Sequence, residues 1–493
     1  MEKFTYGDLK RKPEGTAGLR VLFSVGEISD IIAYQGFTFL IFTFYSAVMR
    51  VNINAITVVY IIWTLWNSLN DVIFGTISDR SRFKKFLGGG RRGPYMRMMV
   101  LPLALIMVLL FLSPIEGVGE GAGETGLLLF KIGNIPFTVQ SIYMLIVMIF
   151  FDTIYTIYSI NHTSLYPEMF LTHKAREKAG AMRRVMMVFG LLVAFAVPTF
   201  IVDVYIPGDP ESPSLAESLL QYRIAGIIFC VLIFITGIIH VIWGIREPPY
   251  DEMQKKTNLS WKDSFKHTIK NKNFMIFILC SSMNWFVFGL VPMIFPAYGQ
   301  IVIGEPDAFK VTIILLVLFI SSIPGVYFWA WLDKKLGSKE AFLVNMISWA
   351  LCFIPLFFLT DYLSVLIVFV AMGFVFGGPP YFIDRNISNI ADEDELRTGQ
   401  RREASFYGVH AFIIRLATIL NIISINIIFT FNGWGDLVEA AQGASSGGIQ
   451  LLMSAFPLGA MIIGIIFLLL YKIGKKEADE LQVKMRELHS LEE

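Results

Sequence analysis

Twelve stretches of about 20 or more largely apolar residues run the length of this chain, each long enough to cross a bilayer as a helix. They fall at residues 19–48, 53–78, 95–115, 138–165, 183–206, 220–246, 274–303, 310–332, 341–360, 361–388, 404–431 and 447–472. In hydrocarbon each backbone N–H and C=O must be satisfied within its own segment, so stretches like these are expected as helices. The ninth and tenth are separated only by a turn near Asp361. Composition agrees. Of the 493 residues 55% are hydrophobic and 16% charged, where a soluble domain carries about 25% charge. The chain lacks the charge to cover a soluble surface, and the expected class is an all-α membrane protein.

Lysine and arginine then orient it. Alternating sides from the N-terminus, 36 of the 41 Lys and Arg lie in or at the ends of segments on one side. Only Arg50, Lys131 and Lys310 lie on the other side, while Arg223 and Arg415 fall within spans. The positive side faces the cytoplasm, so both termini are expected there and the helix count is even. A net charge of +1 offers no basic patch for nucleic acid. Cys230, Cys280 and Cys352 all sit in apolar runs and form no disulfide or zinc framework. No signal peptide follows Lys3, Lys10, Arg11 and Lys12, and nothing marks an organelle, so the cell membrane is the expected location.

The longest polar cytoplasmic segment, 247–273, divides the chain into a six-helix bundle at 1–246 and another at 274–472, with a cytoplasmic tail at 473–493. Trp261, Phe265 and Ile269 recur among lysines, which predicts a surface-lying amphipathic helix. Leu481, Met485 and Leu488 predict a helical tail packed on the bundle. A weak repeat supports the division. The second span ends in Phe74-Gly75-Thr76-Ile77-Ser78-Asp79-Arg80 and the eighth in Phe328-Trp329-Ala330-Trp331-Leu332-Asp333-Lys334. Secondary transporters are often built from such repeats, with the substrate site between the halves.

A charge near the bilayer centre costs about 2.5–3.5 kcal/mol on insertion scales and should face a cavity or a partner. Glu27 and Asp30 lie in the first span, and Asn67 and Asp71 share a face of the second. Asp152, Thr156 and Ser159 share a face of the fourth. Arg184 opens the fifth, Asp384 and Arg385 end the tenth, and Arg415 lies near the middle of the eleventh. His162 is read as pore-lining or packing, and His240 and His410 as interior histidines. Trp285 beside Asn284 is read as cavity lining or aromatic packing. Gly377-Gly378-Pro379-Pro380 predicts a bend in the tenth span. Three matches to the glycosylation pattern, at Asn161, Asn258 and Asn386, fall in membrane or cytoplasmic positions and are discounted.

Three loop motifs complete the reading. The first is Asp79-Arg80-Ser81-Arg82 with Gly88-Gly89-Gly90-Arg91-Arg92-Gly93-Pro94-Tyr95. The second is Ser164-Leu165-Tyr166-Pro167-Glu168 with Arg176-Glu177 and Arg184. The third is Glu395-Leu396-Arg397-Thr398-Gly399-Gln400-Arg401-Arg402-Glu403. In order, and at these places, they resemble the glycoside–pentoside–hexuronide:cation symporter family of the major facilitator superfamily. The resemblance implies the major facilitator fold, twelve helices in two six-helix bundles, and alternating access. It implies coupling-ion groups on the second and fourth spans, where the family's acids fall on Asn67, Asp71, Thr156 and Ser159. Only one acid of three is kept. The family's sugar-stacking aromatic falls on Thr163 and its first-span acid on Ile31, beside Asp30. The fifth-span cation falls on Arg184, and Arg415 occupies the eleventh-span lysine position.

The expected function is therefore cation-coupled symport of a polar solute: a glycoside, pentoside or hexuronide. The alternative is a lysolipid or other amphiphile on the same fold, for which Thr163 and the Met- and Phe-rich composition leave room. No nucleophile–base pair or catalytic domain is read, so no enzyme is expected, and no cofactor beyond a coupling ion, H+ or Na+. The partners are the solute and the bilayer, with no obligate protein partner evident. Asp30, Ser159, Arg184 and Arg415 are expected to bind substrate, and Asn67, Asp71, Asp152, Thr156 and Ser159 the coupling ion. Asp71, Asp30, Glu27 and Asp152 are each candidates to carry a proton, and an uncoupled transporter with Asp71 paired to Arg184 or Arg415 stays open. Asp79, Arg80, Arg91, Arg92, Asp333, Lys334 and Arg401 are expected to gate the cytoplasmic face.

Overall fold

Side-chain caps mark where several of the helices begin, because the first N–H groups of a helix have no internal partner. The Thr16 hydroxyl accepts from the Leu19 N–H before α1 (Ala17–Thr43). Thr138 with Ser141, and Ser214 with Glu217, form reciprocal capping boxes before α4 (Val139–Met169) and α6 (Leu215–Ile239). Asn271 caps α7 (Lys272–Ala297), and Asp361 caps α10 (Tyr362–Phe376). The Ser364 N–H holds the Asp361 carboxyl below the usual carboxylate range.

The computed structural model describes residues 15–80, 92–112, 127–170, 173–202, 213–247, 268–305, 308–398, 403–442 and 446–490. Among them, twelve helices are long and apolar enough to cross a membrane. The other spanning elements are α2 (Ile53–Arg80), α3 (Gly93–Leu110), α5 (His173–Thr199), α8 (Ala308–Leu336), α9 (Ser338–Phe353), α11 (Pro379–Thr398) and α12 (Glu403–Asn432), with α14 (Gly447–Met453) and α15 (Ala455–Leu470) together forming the twelfth span. The fifth span begins before residue 183 and stops at Thr199 rather than 206, because the polar turns from His173 onward are themselves helical. The tenth consists of two helices, α10 and α11, parted at Gly377–Gly378 ahead of two prolines, which cannot supply ladder N–H groups.

Two features lie outside what apolar periodicity shows. A hairpin of β1 (Leu128–Ile132) and β2 (Ile135–Thr138) turns at Gly133, whose φ of 59° suits glycine. A short helix, α13 (Leu437–Gln442), interrupts the connection between the last two spans.

The chain forms two compact units. One comprises α1–α6 together with Gly435–Gln442, and the other the remaining helices. In the first unit Gly435–Gln442 sits in the corner between α1 and α2. The Arg50 Nε is 2.8 Å from Asp436 Oδ2, and Ser46 Oγ accepts from the Leu437 N–H at 2.9 Å. The Ile53 N–H donates to the Gly435 carbonyl at 2.8 Å. Arg50 holds this corner with a φ of 49°.

In the second unit, α8 and α10 approach backbone to backbone. A Cβ at Gly373 would stand 2.0 Å from the Leu318 carbonyl oxygen, and one at Gly325 2.1 Å from that of Phe374. Gly373→Val should therefore cost at least the roughly 1–3 kcal/mol of an overpacked core. Thermal unfolding in detergent should show a lower midpoint than wild type. The tail helix α16 (Lys475–Ser490) packs on α9 and α11, and Lys475 Nζ donates to the Lys335 carbonyl at 2.7 Å. Trp261 and Phe265 of the middle segment lie outside the described residues, and Ile269 is exposed.

Candidate ion and substrate site

Asn70, Asp152 and Thr156 meet between α2 and α4. The Asn70 amide donates to Asp152 Oδ2 at 2.6 Å, and its carbonyl accepts from the Thr156 hydroxyl at 3.1 Å. Asn70 and Asp152 are fully buried and Thr156 nearly so. One turn away, the Trp66 indole N–H donates to the Thr153 hydroxyl at 3.0 Å. Asn67 is buried and Asp71 half-buried on the same helix. Helical spacing places Asn67, Asn70 and Asp71 as neighbours on one side of α2. The group is rich in oxygen and holds buried negative charge, the donor chemistry a hard cation takes. Asn70, which sequence reading missed, is the residue that bridges the two helices. Its signal was the i, i+3 spacing from Asn67.

A second polar cluster lies within α1, α4, α5 and the π-helical turn His240–Gly244 that follows α6. Glu27 Oε2 accepts from Arg183 Nε at 2.7 Å and lies 3.9 Å from His162 Nδ1. The Arg183 guanidinium stands 4.8 Å over the Tyr166 ring, a cation–π distance. The rings of His162 and His240 are 4.7 Å apart and edge-on. One turn along α1, Asp30 Oδ2 accepts from the Tyr155 hydroxyl at 3.4 Å, and Ser159 also faces this carboxylate. Ser159 thus stands with Asp30 rather than with Thr156.

The fifth-span arginine that pairs with α1 is Arg183, whereas Arg184 is exposed. Adjacent helical residues point about 100° apart, so the two arginines meet different surroundings, Arg183 the α1 carboxylate and Arg184 an open surface. In the second unit, Arg415 is half-buried on α12. The His410 Nε2 and Ser281 hydroxyl are 2.7 Å apart, which makes His410 a hydrogen-bonded interior residue. Asn284 is buried and donates to the Cys280 carbonyl at 3.0 Å, while Trp285 is exposed and packs on Phe288.

Where α3 begins, Arg92 Nε is 3.0 Å from Glu168 Oε1. The N–H groups of Arg92 and Gly93 donate to Glu247 at 2.7 and 2.8 Å. A carboxylate at that N-terminus of α3 meets both the orphan N–H groups and the positive end of the helix dipole. In the second unit, Asp333 Oδ2 accepts from the Tyr381 hydroxyl at 2.5 Å and lies 4.0 Å from Arg385 Nε. Lys334, its neighbour, is exposed. The side chains of Asp79 and Arg80, together with Arg91 and Arg401, lie outside the described residues.

Among the described residues twelve helices are long and apolar enough to cross a membrane, with polar clusters buried inside them, and with the family match that follows they make the chain a multi-pass membrane transport protein of the major facilitator type. The chain belongs to the MFS/sugar transport protein family, whose model matches residues 22–475. It is 20% identical to the sodium-dependent lysophosphatidylcholine symporter 1-A of Danio rerio, over 97% of this chain and 90% of that protein. It is 19% identical to an uncharacterised symporter of Synechocystis, over 92% of this chain and 94% of that protein. Among solved structures it is similar to the nucleoside transporter NupG, with a TM-score of 0.64 and 14% identity, over 92% of this chain and all of that one.

Proposed function

We propose that this chain is a sodium-coupled symporter working by alternating access, with an amphiphile of lysolipid type as its solute. The observation that carries the coupling is the buried set of Asn70, Asp152 and Thr156 between α2 and α4. Asn67 and Asp71 complete its ligand set from the next positions on α2. An all-oxygen site with negative charge suits sodium, and the Danio rerio relative is a sodium-dependent symporter. The amphiphile is favoured by that relative's named substrate and by Thr163, an exposed threonine where the sugar family stacks an aromatic. Asp30, Ser159, Arg184 and Arg415 serve the solute's polar end. A glycoside, pentoside or hexuronide is the second reading, favoured by the description of the family.

In this reading residues 1–246, with Gly435–Gln442 held against them, and the rest of 274–472 are the moving bundles, and 247–273 and 473–493 lie in the cytoplasm with both termini. The protein works in the cell membrane. Asp79, Arg80, Arg91, Arg92, Asp333, Lys334 and Arg401 hold the cytoplasmic ends closed in one state and release them in the other.

Counterflow in proteoliposomes tests the proposal. Labelled lysophosphatidylcholine and a pool of glycosides, pentosides and hexuronates are offered at two pH values, with and without sodium. Saturable, sodium-stimulated uptake of the lysolipid is expected. Sugar uptake instead would establish the second reading, and uptake indifferent to sodium would remove the ion assignment. In the same assay Asp71→Asn should abolish gradient-driven accumulation more than it weakens solute binding.

A further inference from the structure

The coupling reading makes no use of His162 and His240. Both are fully buried. No nitrogen of either ring meets hydrogen-bond geometry with a partner, although the backbone of Leu22 and Phe23 faces the pair. Buried polar atoms are almost always well satisfied, so two neighbouring imidazoles held this loosely, by backbone alone, call for a physical reason. Their position is also built. A Cβ on Gly26 would stand 2.6 Å from His240 Cγ, so α1 keeps a glycine where the ring lies against it. Phe23 closes the cluster, 5.0 Å from one imidazole and 5.3 Å from the other.

Nearest the rings, two carboxyls face one guanidinium. Glu27 and Asp30 come from α1, and Arg183 from α5. Tyr158 faces the pair from α4, Tyr166 lies under the Arg183 guanidinium, and Arg97 lies beyond His240 on α3 with Glu247 beside it. Arg183 neutralises Glu27 at 2.7 Å, and Asp30 Oδ1 has no hydrogen-bond partner. With both carboxyls ionised, the inner group of Glu27, Asp30 and Arg183 carries one negative charge in excess, which a proton on the rings or on Asp30 would cancel. Two imidazoles 4.7 Å apart cannot both be charged, because like charges at that separation repel, but they can share one proton.

We propose that His162 and His240 form a single-proton site in the first unit, separate from the oxygen site between α2 and α4. The proton comes from water and balances the excess negative charge of Glu27, Asp30 and Arg183. Once His162 is protonated, its Nδ1, at 3.9 Å from Glu27 Oε2, needs a shift of about 1 Å to reach a charge-assisted hydrogen bond. Glu27 is then shared between Arg183 and His162, and the guanidinium is loosened from its carboxylate. Protonation of this pair therefore sets the charge that the α1–α5 contact presents to the transport path. This inference goes beyond the sodium-symport reading and, although it shares Asp30 with the solute-binding group, holds whichever solute is carried.

The test is nitrogen NMR of the full chain in nanodiscs, with histidine labelled in the ring and the pH taken from 8 to 5. Signals are assigned by their loss in His162→Gln and His240→Gln. Two rings titrating together at one midpoint, each through part of the full change, are the expected result. Glu27→Gln should weaken proton affinity by about tenfold or more, since a carboxylate this close favours the charged imidazole. Gly26→Ala, which keeps both histidines but displaces His240, should split the two titrations. Rings that stay neutral throughout, or titrate in separate steps in wild type, would overturn the proposal, as would an unmoved midpoint in Glu27→Gln. The readout needs no transport, so loss of sodium dependence in the counterflow assay leaves it unaffected.

Discussion

Asp152→Asn should leave a folded protein that exchanges solute across a membrane yet no longer concentrates it with a sodium gradient. The substitution keeps the volume of the side chain and an oxygen that can accept from Asn70, now 2.6 Å from Asp152 Oδ2. It removes a carboxylate charge from a fully buried position. Unit charges about 4 Å apart interact by about 4 kcal/mol at an effective dielectric near 20. Some of that is offset by the desolvation no longer suffered, so sodium affinity should fall by at least about a hundredfold. Sodium titration of solute counterflow reads this directly. Equal activation by sodium in wild type and variant would show that Asp152 is structural. Thr156→Ala removes one neutral oxygen and should produce a smaller loss in the same direction.

Replacing Arg183 separates two neighbours that the sequence alone treats alike. Arg183→Ala leaves Glu27 buried without its 2.7 Å partner. Breaking one side of a buried pair costs about 3–5 kcal/mol. The thermal midpoint in detergent should fall sharply, and adding Glu27→Gln should restore most of it. Arg184→Ala, at an exposed position, should change stability by no more than about 0.5 kcal/mol. Its effect should appear in solute uptake instead. Equal destabilisation by both variants would argue against the pairing.

The contrast shows what a sequence like this makes legible. Twelve spans were readable because a bilayer imposes a length and a polarity on every crossing segment. The fourth span is expected from 138 and its helix begins at Val139 behind Thr138, whereas the sixth is expected from 220 and begins at Leu215 behind Ser214, because its first turn is too polar to show as apolar sequence. Rotation about a helix axis was not readable. It is set by which neighbour each face meets, and one residue of register separates Arg183 from Arg184 and Asn70 from Asp71. For the same reason Ser159 read as a partner of Thr156, whereas tertiary packing turns it toward Asp30. The histidine pair was beyond reach because its members, His162 and His240, come from helices far apart in the chain. Each alone is an ordinary interior residue.

The clasp of Gly435–Gln442 by the corner of α1 and α2 bears on how such a chain can be cut and recombined. A break at the middle segment would look like a division into self-sufficient modules. The first fragment would nevertheless lack the peptide that covers its own Arg50, Ser46 and Ile53, and the second would carry that peptide as an orphan with Leu437, Val438 and Ala440 stripped of cover. Chimeras that exchange halves between relatives must therefore match this peptide to the recipient's first bundle. Inheritance of the two bundles is tied together by eight residues that belong to one by sequence and to the other by structure.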